Sequence, residues 1–204
     1  MKLYYSKGAC SLAVRIVINE MELKCEYEAV NLQTKQTETD ANFLKVNPKG
    51  AVPTLVLDNN EILTENAVIQ QYLADHHKAN KLLPPIGDMK RYHVLEWLNF
   101  ASTDLHKSCG PLFNAKVPTE VKDDVFKPLL KTKLTLLDQH FAKNKFLAGE
   151  QFTLPDGYVF VVLRWLPHFH INVADWPNVA RFFNEVSQRP AVQKSMQEEG
   201  INHP

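Results

Sequence analysis

The chain has 204 residues, 45% of them hydrophobic, which is enough for one large domain or two small ones with a sizeable core. Its 23 Lys or Arg residues balance 23 Asp or Glu residues, and a net charge of zero argues against nucleic acid or a membrane as a partner. The apolar runs are too short for a signal peptide or a transmembrane helix. Three cysteines without paired spacing favour a reducing compartment, so we expect a cytoplasmic protein.

The first part of the chain alternates strand and helix signals. Residues 2–5 predict a strand, and Ser11 begins an apolar helix. Residues 25–30 alternate apolar and charged side chains, which is the pattern of a half-buried strand. Residues 33–42 are polar and predict a surface helix or loop. Two short strands, at 54–57 and 61–63, and a helix at 67–77 follow.

Pro53 is the most informative residue of this region. A proline cannot donate a hydrogen bond into a sheet, so Pro53 belongs at the entrance of the strand that follows it. A cis bond between Val52 and Pro53 would leave the backbone N–H and C=O of Val52 free to pair with an extended peptide. The helix that starts near Glu65 and Asn66 offers unpaired N–H groups to an anion. The order β-α-β-α-β-β-α, with a cis-proline before its third strand, predicts a thioredoxin-like α/β domain over residues 1–77.

A different pattern begins after residue 77. Residues 78–87 form a linker with two consecutive prolines. Beyond it the strand signals vanish and helical spacing dominates, so we expect an all-helical bundle domain over residues 88–204. Helices are predicted from 88 to 109, from Thr119 to Phe141, after the capping motif Thr153-Leu154-Pro155-Asp156, and from Pro177 to the residue before Pro190.

Cys10 is the first candidate for chemistry, because it lies where the first strand turns into the first helix. A cysteine at the positive end of a helix can have a lowered pKa and react as a thiolate. The alternative is that Cys10 is a small buried hydrophobic residue. Cys25 fits that second description, since the strand alternation directs it inward.

A polar stripe on the predicted helix 88–109 is the second candidate. Asn99, Ser102, His106 and Cys109 recur at helical spacing, so they share one face. This face either contacts water or lines a site in which His106 acts on a sulfur atom. His106 and Cys109 also have metal-ligand spacing, but the carboxylates or cysteines that would complete a ligand set are missing, so we expect no metal.

Three segments together resemble a cytosolic glutathione transferase over essentially the whole chain: 47–53 (Asn-Pro-Lys-Gly-Ala-Val-Pro), 65–73 (Glu-Asn-Ala-Val-Ile-Gln-Gln-Tyr-Leu) and 146–156 (Phe-Leu-Ala-Gly-Glu-Gln-Phe-Thr-Leu-Pro-Asp). Residues 8–12 and 104–107 resemble more narrowly the bacterial beta class. The resemblance implies a thioredoxin-like domain that binds glutathione as co-substrate, a helical domain that lines the site for small hydrophobic electrophiles, and a homodimer.

The resemblance also implies roles for particular residues. The backbone of Val52 would pair with the cysteinyl unit of glutathione, and Lys35 would meet its glycine carboxylate. The expected catalytic residues are Cys10, Ser11 and His106. The expected glutathione-binding residues are Lys35, Val52, Pro53, Glu65, Asn66, Asn99, Thr103 and Lys107. The family usually has serine where Asn66 stands, and since asparagine is also a good N-cap we expect binding to survive.

Three functions are compatible with these residues. The first is transfer of the glutathione thiolate to small apolar electrophiles, which is a detoxifying reaction. The second is glutathione-dependent disulfide reduction through a mixed disulfide at Cys10. The third is a non-catalytic ligand carrier or regulator, against which the presence of Cys10, Ser11, Glu65 and His106 counts. The sequence names neither the physiological electrophile nor the group that activates the thiol.

Overall fold

The structure is a computed structural model that describes residues 1–201. It divides into two compact units, and residues 81–188 form the second. The first unit consists of residues 1–80 together with the chain from Arg189 onward. This division differs from the predicted helical domain 88–204, because the last helix packs on the first helix of the chain. Residues 202–204, the end of that predicted domain, lie outside the described residues.

The first unit contains a five-stranded sheet in the order β3-β2-β1-β4-β5. Only the β1–β2 pair is parallel, and the other three neighbouring pairs are antiparallel. The strands are β1 (Lys2–Tyr5), β2 (Glu26–Asn31), β3 (Gln36–Thr37), β4 (Thr54–Val56) and β5 (Ile62–Thr64). The helices of this unit are α1 (Ser11–Glu20), α2 (Asn66–His76) and the last helix, α9 (Pro190–Glu198).

The predicted cis bond between Val52 and Pro53 is confirmed, and it precedes β4. Residues 33–42 were predicted as a surface helix or loop, and the helix counted there in the predicted element order is wrong. The segment contains the two-residue strand β3, and a 3-10 turn, Phe43–Lys45, follows it. Only Phe43 of that turn is buried, packed against Tyr4 with ring centroids 5.5 Å apart, so the segment lacks the apolar stripe that would hold an α-helix in place.

The second unit, as far as the structure describes it, consists of helices and loops, as predicted. Two long helical segments each contain a π-helical turn, at Ala101–Leu105 and Lys122–Phe126. The helices are α3 (Met89–Phe100), α4 (His106–Phe113), α5 (Thr119–Val121), α6 (Lys127–Phe141), α7 (Leu154–Leu163) and α8 (Pro177–Ser187). Among the described residues, none of these helices combines the length and apolar character needed to cross a membrane.

The start of α7 confirms the predicted capping motif. The carboxylate of Asp156 accepts hydrogen bonds from the Thr153 N–H at 2.8 Å and from the Thr153 hydroxyl at 2.9 Å. The same side chain accepts from the Leu147 N–H at 2.8 Å, and it is completely buried. A buried carboxylate is stable only when its oxygens are satisfied in this way, so Asp156 fixes both the helix start and the preceding loop.

Candidate functional site

Cys10 and Val52 are in direct contact in the first unit. Cys10 is the N-cap residue of α1, and its half-buried thiol donates to the Val52 carbonyl oxygen at 3.3 Å. The carbonyl that the sequence predicts to be free therefore accepts a weak sulfur hydrogen bond. The Val52 N–H donates no hydrogen bond to any of residues 1–201, so this backbone donor is unpaired there, as predicted.

Asn66 joins the starts of α1 and α2. Its side-chain amide donates to the Cys10 carbonyl oxygen at 2.6 Å and accepts from Gln70 Nε2 at 2.5 Å. The prediction that Asn66 is an N-cap is wrong, because Glu65 takes that position and Asn66 is the first helical residue. Its side-chain nitrogen bonds across to the neighbouring helix start, and its side-chain oxygen accepts from Gln70 of its own helix. Gln70 was not predicted, although an asparagine and a glutamine four residues apart on a helix indicate such a pair.

Ser11 is completely buried, is the first residue of α1, and bonds back to the loop that precedes this helix. Its hydroxyl accepts from the Ser6 N–H at 3.2 Å and donates to the Ser6 carbonyl at 3.3 Å. In the same loop Gly8 has a φ of 69° and its N–H donates to Glu199 Oε2 at 2.8 Å. Hydrogen bonds to the Ser11 hydroxyl and to the Glu199 carboxylate therefore hold the backbone before Cys10. The contacts of the Ser11 hydroxyl are with the Ser6 backbone.

The loop that carries the cis-proline is organised by Asn47, which was also not predicted. Asn47 is buried, and its Nδ2 donates to the Ala51 carbonyl and to Thr54 Oγ1, both at 2.9 Å. Lys35, a predicted glutathione contact, donates from Nζ to the Gly50 carbonyl at 2.8 Å. Pro53 itself is buried. One ordered loop therefore contains Val52 and Pro53, and the Lys35 side chain contacts the same loop at Gly50.

Glu65 has a φ of 74° and lies between β5 and α2. Its exposed carboxylate accepts from Lys49 Nζ at 2.8 Å. The same ammonium group donates to Thr64 Oγ1 at 3.0 Å. A carboxylate and an ammonium group therefore lie side by side at the N-terminus of α2.

The remaining predicted residues belong to the second unit. Asn99, Thr103 and Lys107 are exposed on the segment that runs from α3 into α4. Thr103 Oγ1 donates to the Asn99 carbonyl at 2.9 Å. Their exposure leaves these side chains accessible to a ligand, and apart from this one contact they are not brought together.

The predicted polar stripe on this helix is wrong for Cys109. Cys109 is completely buried, as are Ala101 and Leu105, and burial raises the pKa of its thiol to about 12. It is a core residue in the same row as those two side chains. Burial likewise raises the pKa of the Cys25 thiol to about 11. Neither cysteine is a thiolate near neutral pH.

His106 lies half-buried among aromatic side chains. Its Nδ1 is 2.7 Å from the hydroxyl of the buried Tyr158, and its ring centroid is 4.9 Å from that of Trp165. Burial lowers the pKa of the imidazole to about 4, with a smaller contribution from the neighbouring Lys107 charge. The side chain is therefore neutral at pH 7. Within residues 1–201, no group of three or more His, Cys, Asp or Glu side chains has an arrangement suited to a metal ion.

Comparison with known proteins identifies the family. The profile described as Glutathione S-transferase, N-terminal domain matches residues 1–75, and that of the Glutathione S-transferase, C-terminal domain matches residues 102–190. The chain belongs to the glutathione S-transferase family. This transferase is 38% identical over 201 residues to glutathione S-transferase GstA of Escherichia coli O157:H7, across 98% of this chain and all of that protein.

Solved structures agree with this assignment. A sphingomonad glutathione S-transferase complexed with glutathione is 38% identical, with a TM-score of 0.94 over 98% of this chain and 100% of that one. The bacterial beta-class enzyme of Sphingomonas chungbukensis is 37% identical, with the same TM-score and the same coverage. The resemblance to the bacterial beta class and the two-part fold class are therefore confirmed.

Proposed function

We propose that this glutathione S-transferase binds glutathione along the edge formed by Cys10, Val52 and the start of α2, and transfers its thiolate to small apolar electrophiles. One observation carries the proposal: the Cys10 thiol contacts the Val52 carbonyl while the Cys10 carbonyl contacts Asn66. The Cys10 thiol, the backbone of Val52 and the N-terminus of α2 therefore lie together, which supports a site for a thiol-containing peptide. The sphingomonad relative described as a complex with glutathione supports the choice of co-substrate.

The proposed binding mode uses the backbone of Val52. The N–H of Val52 is available, and its carbonyl would accept from the cysteinyl N–H of glutathione in place of the Cys10 thiol. This exchange would free the Cys10 sulfur to contact the glutathione sulfur. Glu65 and the N-terminal N–H groups of α2 would hold the γ-glutamyl end, and Lys35 would hold the glycine carboxylate.

The chemical step is nucleophilic attack by the glutathione thiolate on an electrophilic carbon. With an aryl chloride, a C–S bond forms, the C–Cl bond breaks, chloride leaves, and the thiol proton passes to solvent. His106 is proposed as a catalytic residue that acts as a neutral hydrogen-bond donor. Because its imidazole is neutral at pH 7, it can donate one hydrogen bond but brings no positive charge.

The second unit presents an aromatic group that suits a planar apolar electrophile. The ring of Phe113, whose exposed fraction is 51%, lies 5.6 Å from Trp165 and 4.6 Å from Phe169, centroid to centroid. Exposed aromatic rings held by other rings offer flat contact area at little entropic cost. A homodimer is also proposed, from the family, and a cytoplasmic location is proposed from the three cysteines without paired spacing.

The test is conjugation of 1-chloro-2,4-dinitrobenzene to glutathione by the native protein, by Cys10→Ala, and by Cys25→Ala as the matched control. We expect turnover by all three, because the bound glutathione thiolate is the nucleophile. Loss of turnover in Cys10→Ala alone, with glutathione affinity unchanged, would make Cys10 essential to the reaction. A native protein that binds glutathione without conjugating this electrophile would overturn the proposal in favour of disulfide exchange or a carrier role.

A further inference from the structure

We propose that Lys49 and Glu65 act as one recognition pair for the charged end of the γ-glutamyl group of glutathione, with Lys49 contacting its α-carboxylate and Glu65 its α-ammonium. This assignment of Lys49 rests on the proposed function and adds a residue to that site. Lys49 Nζ lies 2.8 Å from Glu65 Oε1, and the two side chains have exposed fractions of 58% and 65%. Both charged groups are therefore within reach of a ligand in solution.

The backbone of Lys49 is held in a fixed place. Its N–H donates to the side-chain oxygen of the buried Asn47 at 3.0 Å. The amide nitrogen of Asn47 holds the Ala51 carbonyl and Thr54 at the other end of the same loop. One buried side chain therefore fixes both the base of Lys49 and the backbone that leads into the cis-proline.

The sheet places this pair beside the peptide-pairing backbone. In the β4–β5 register Thr54 is the partner of Thr64. Val52 lies two residues before Thr54, and Glu65 lies one residue after Thr64. An extended tripeptide paired with Val52 at its middle residue would therefore bring its first residue toward Glu65 and Lys49.

The chemistry of the pair matches that of a free amino-acid end, which carries one positive and one negative charge on the same carbon. Binding would replace the Lys49–Glu65 ion pair by two ion pairs, one from each side chain to the ligand. An exposed ion pair is weak, so opening it costs little. The N-terminal N–H groups of α2 would add to the attraction for the carboxylate. A ligand that carries the ammonium without the carboxylate would have to break the ion pair and give Lys49 no new partner.

The experiment uses isothermal titration calorimetry with native protein, Lys49→Met and Lys49→Arg, and with Lys45→Met as a control at an exposed lysine of the nearby 3-10 turn. The two ligands are glutathione and its γ-aminobutyryl analogue, which keeps the amino group and lacks the α-carboxylate. We expect Lys49→Met to weaken glutathione binding about 5- to 20-fold, as for loss of a charged hydrogen bond. We expect the same variant to bind the analogue as well as the native protein or more tightly, and Lys49→Arg to recover most of the affinity for glutathione.

Two results would overturn the assignment of Lys49. Equal weakening of both ligands by Lys49→Met would show that the lysine only maintains the loop, and unchanged affinity for glutathione would show that it makes no contact. Failure of the proposed glutathione site gives a different result, because the native protein would then not bind glutathione at all. Failure of the proposed transfer reaction would appear in the conjugation assay and would leave this titration unchanged. Since Lys49 is exposed, the melting temperature of each variant provides a direct check that the fold is intact.

Discussion

The two units hold their candidate reactive side chains in opposite ways. In the first unit the neighbourhood of Cys10 is fixed by polar groups: Asn66 holds its carbonyl and Glu199 holds the N–H of Gly8. In the second unit His106 lies among aromatic rings and its imidazole contacts the Tyr158 hydroxyl. The first arrangement orders a backbone, and the second controls the protonation of one side chain.

This difference follows from what each unit is proposed to bind. A charged tripeptide is recognised by backbone groups and ions, and these must be ordered before binding if they are to add affinity. An apolar electrophile is recognised by aromatic surface, and a charged imidazole in such surroundings would be costly. Hydrogen bonds and ion pairs therefore suit the unit proposed to bind a peptide. Packing among aromatic rings suits a histidine that must stay neutral.

The largest expected effect comes from removing the buried hydrogen bonds and ion pairs that Arg15 makes in the first unit. This side chain is 2% exposed, lies 3.5 Å from the Tyr27 ring centroid, and donates to Glu199 at 3.1 Å. Arg15→Met would remove the buried guanidinium that pairs with the buried Glu199 carboxylate, which should lower the free energy of unfolding by about 3–5 kcal/mol. Urea denaturation at pH 7 measures this loss.

The matched control is Lys194→Met, on α9 in the same unit. Lys194 pairs with Glu198 at 3.8 Å, and its side chain has an exposed fraction of 60%. An exposed pair of this kind contributes about 0–1 kcal/mol, so the control should be close to the native protein. If Arg15→Met lowered the free energy of unfolding no more than the control does, buried hydrogen bonds and ion pairs would not be what holds the Cys10 loop.

The sequence predicts those features of the two regions that depend on residues close together in the sequence. The cis-proline and the Thr153 capping motif are local patterns, and both were predicted. The hydrogen bond from Gly8 to Glu199 joins residues 191 positions apart, and the one between His106 and Tyr158 joins residues 52 apart. No spacing rule reaches so far, which is why these positioning contacts were missed.

Asn66 shows a second limit of prediction. Its role as a glutathione contact stays a prediction, and the N-cap role assigned to it was wrong. Asparagine has one acceptor and two side-chain N–H groups, and local pattern cannot tell which partner it takes. The fold places the Cys10 carbonyl 2.6 Å from its nitrogen, so the side chain bonds there.

A smaller effect tests the aromatic region through its pH dependence. Burial lowers the pKa of His106 to about 4 from an ordinary value of 6.5. As the pH falls through 6.5, the unfolded chain takes up this proton before the folded one, so stability present above pH 6.5 is lost toward pH 4. After allowance for partial exposure, we expect this histidine to account for about 2 kcal/mol of the acid destabilisation.

The measurement compares urea denaturation at pH 7.5 and pH 4.5 for the native protein and His106→Gln, so that the titration of other groups cancels. The acid loss should be smaller in the variant. His170→Asn is the control, because His170 is exposed and its φ of 57° is a conformation that asparagine tolerates. Identical pH dependence in native protein and His106→Gln would show that His106 does not carry this linkage.

The smallest expected effect comes from Tyr158, where the contribution of packing can be separated from that of the His106 proton. A phenol is a better hydrogen-bond donor than a neutral imidazole, so we expect the Tyr158 hydroxyl to donate to His106 Nδ1 and leave the ring proton on Nε2. Tyr158→Phe removes one buried hydrogen bond and should cost about 1 kcal/mol of unfolding free energy. Tyr92→Phe, at an exposed tyrosine of α3, should cost almost nothing.

The readout that packing alone would not change is the tautomer of His106. In ¹⁵N spectra of the ring nitrogens at pH 7.5, the native protein should show a protonated Nε2 and an unprotonated Nδ1. Tyr158→Phe should shift both resonances toward the average of a mixture, while the pKa of His106 stays low because the ring remains buried. A native protein with the proton on Nδ1 would reverse the assigned donor, and His106 would then offer an acceptor to its ligand where a donor is proposed.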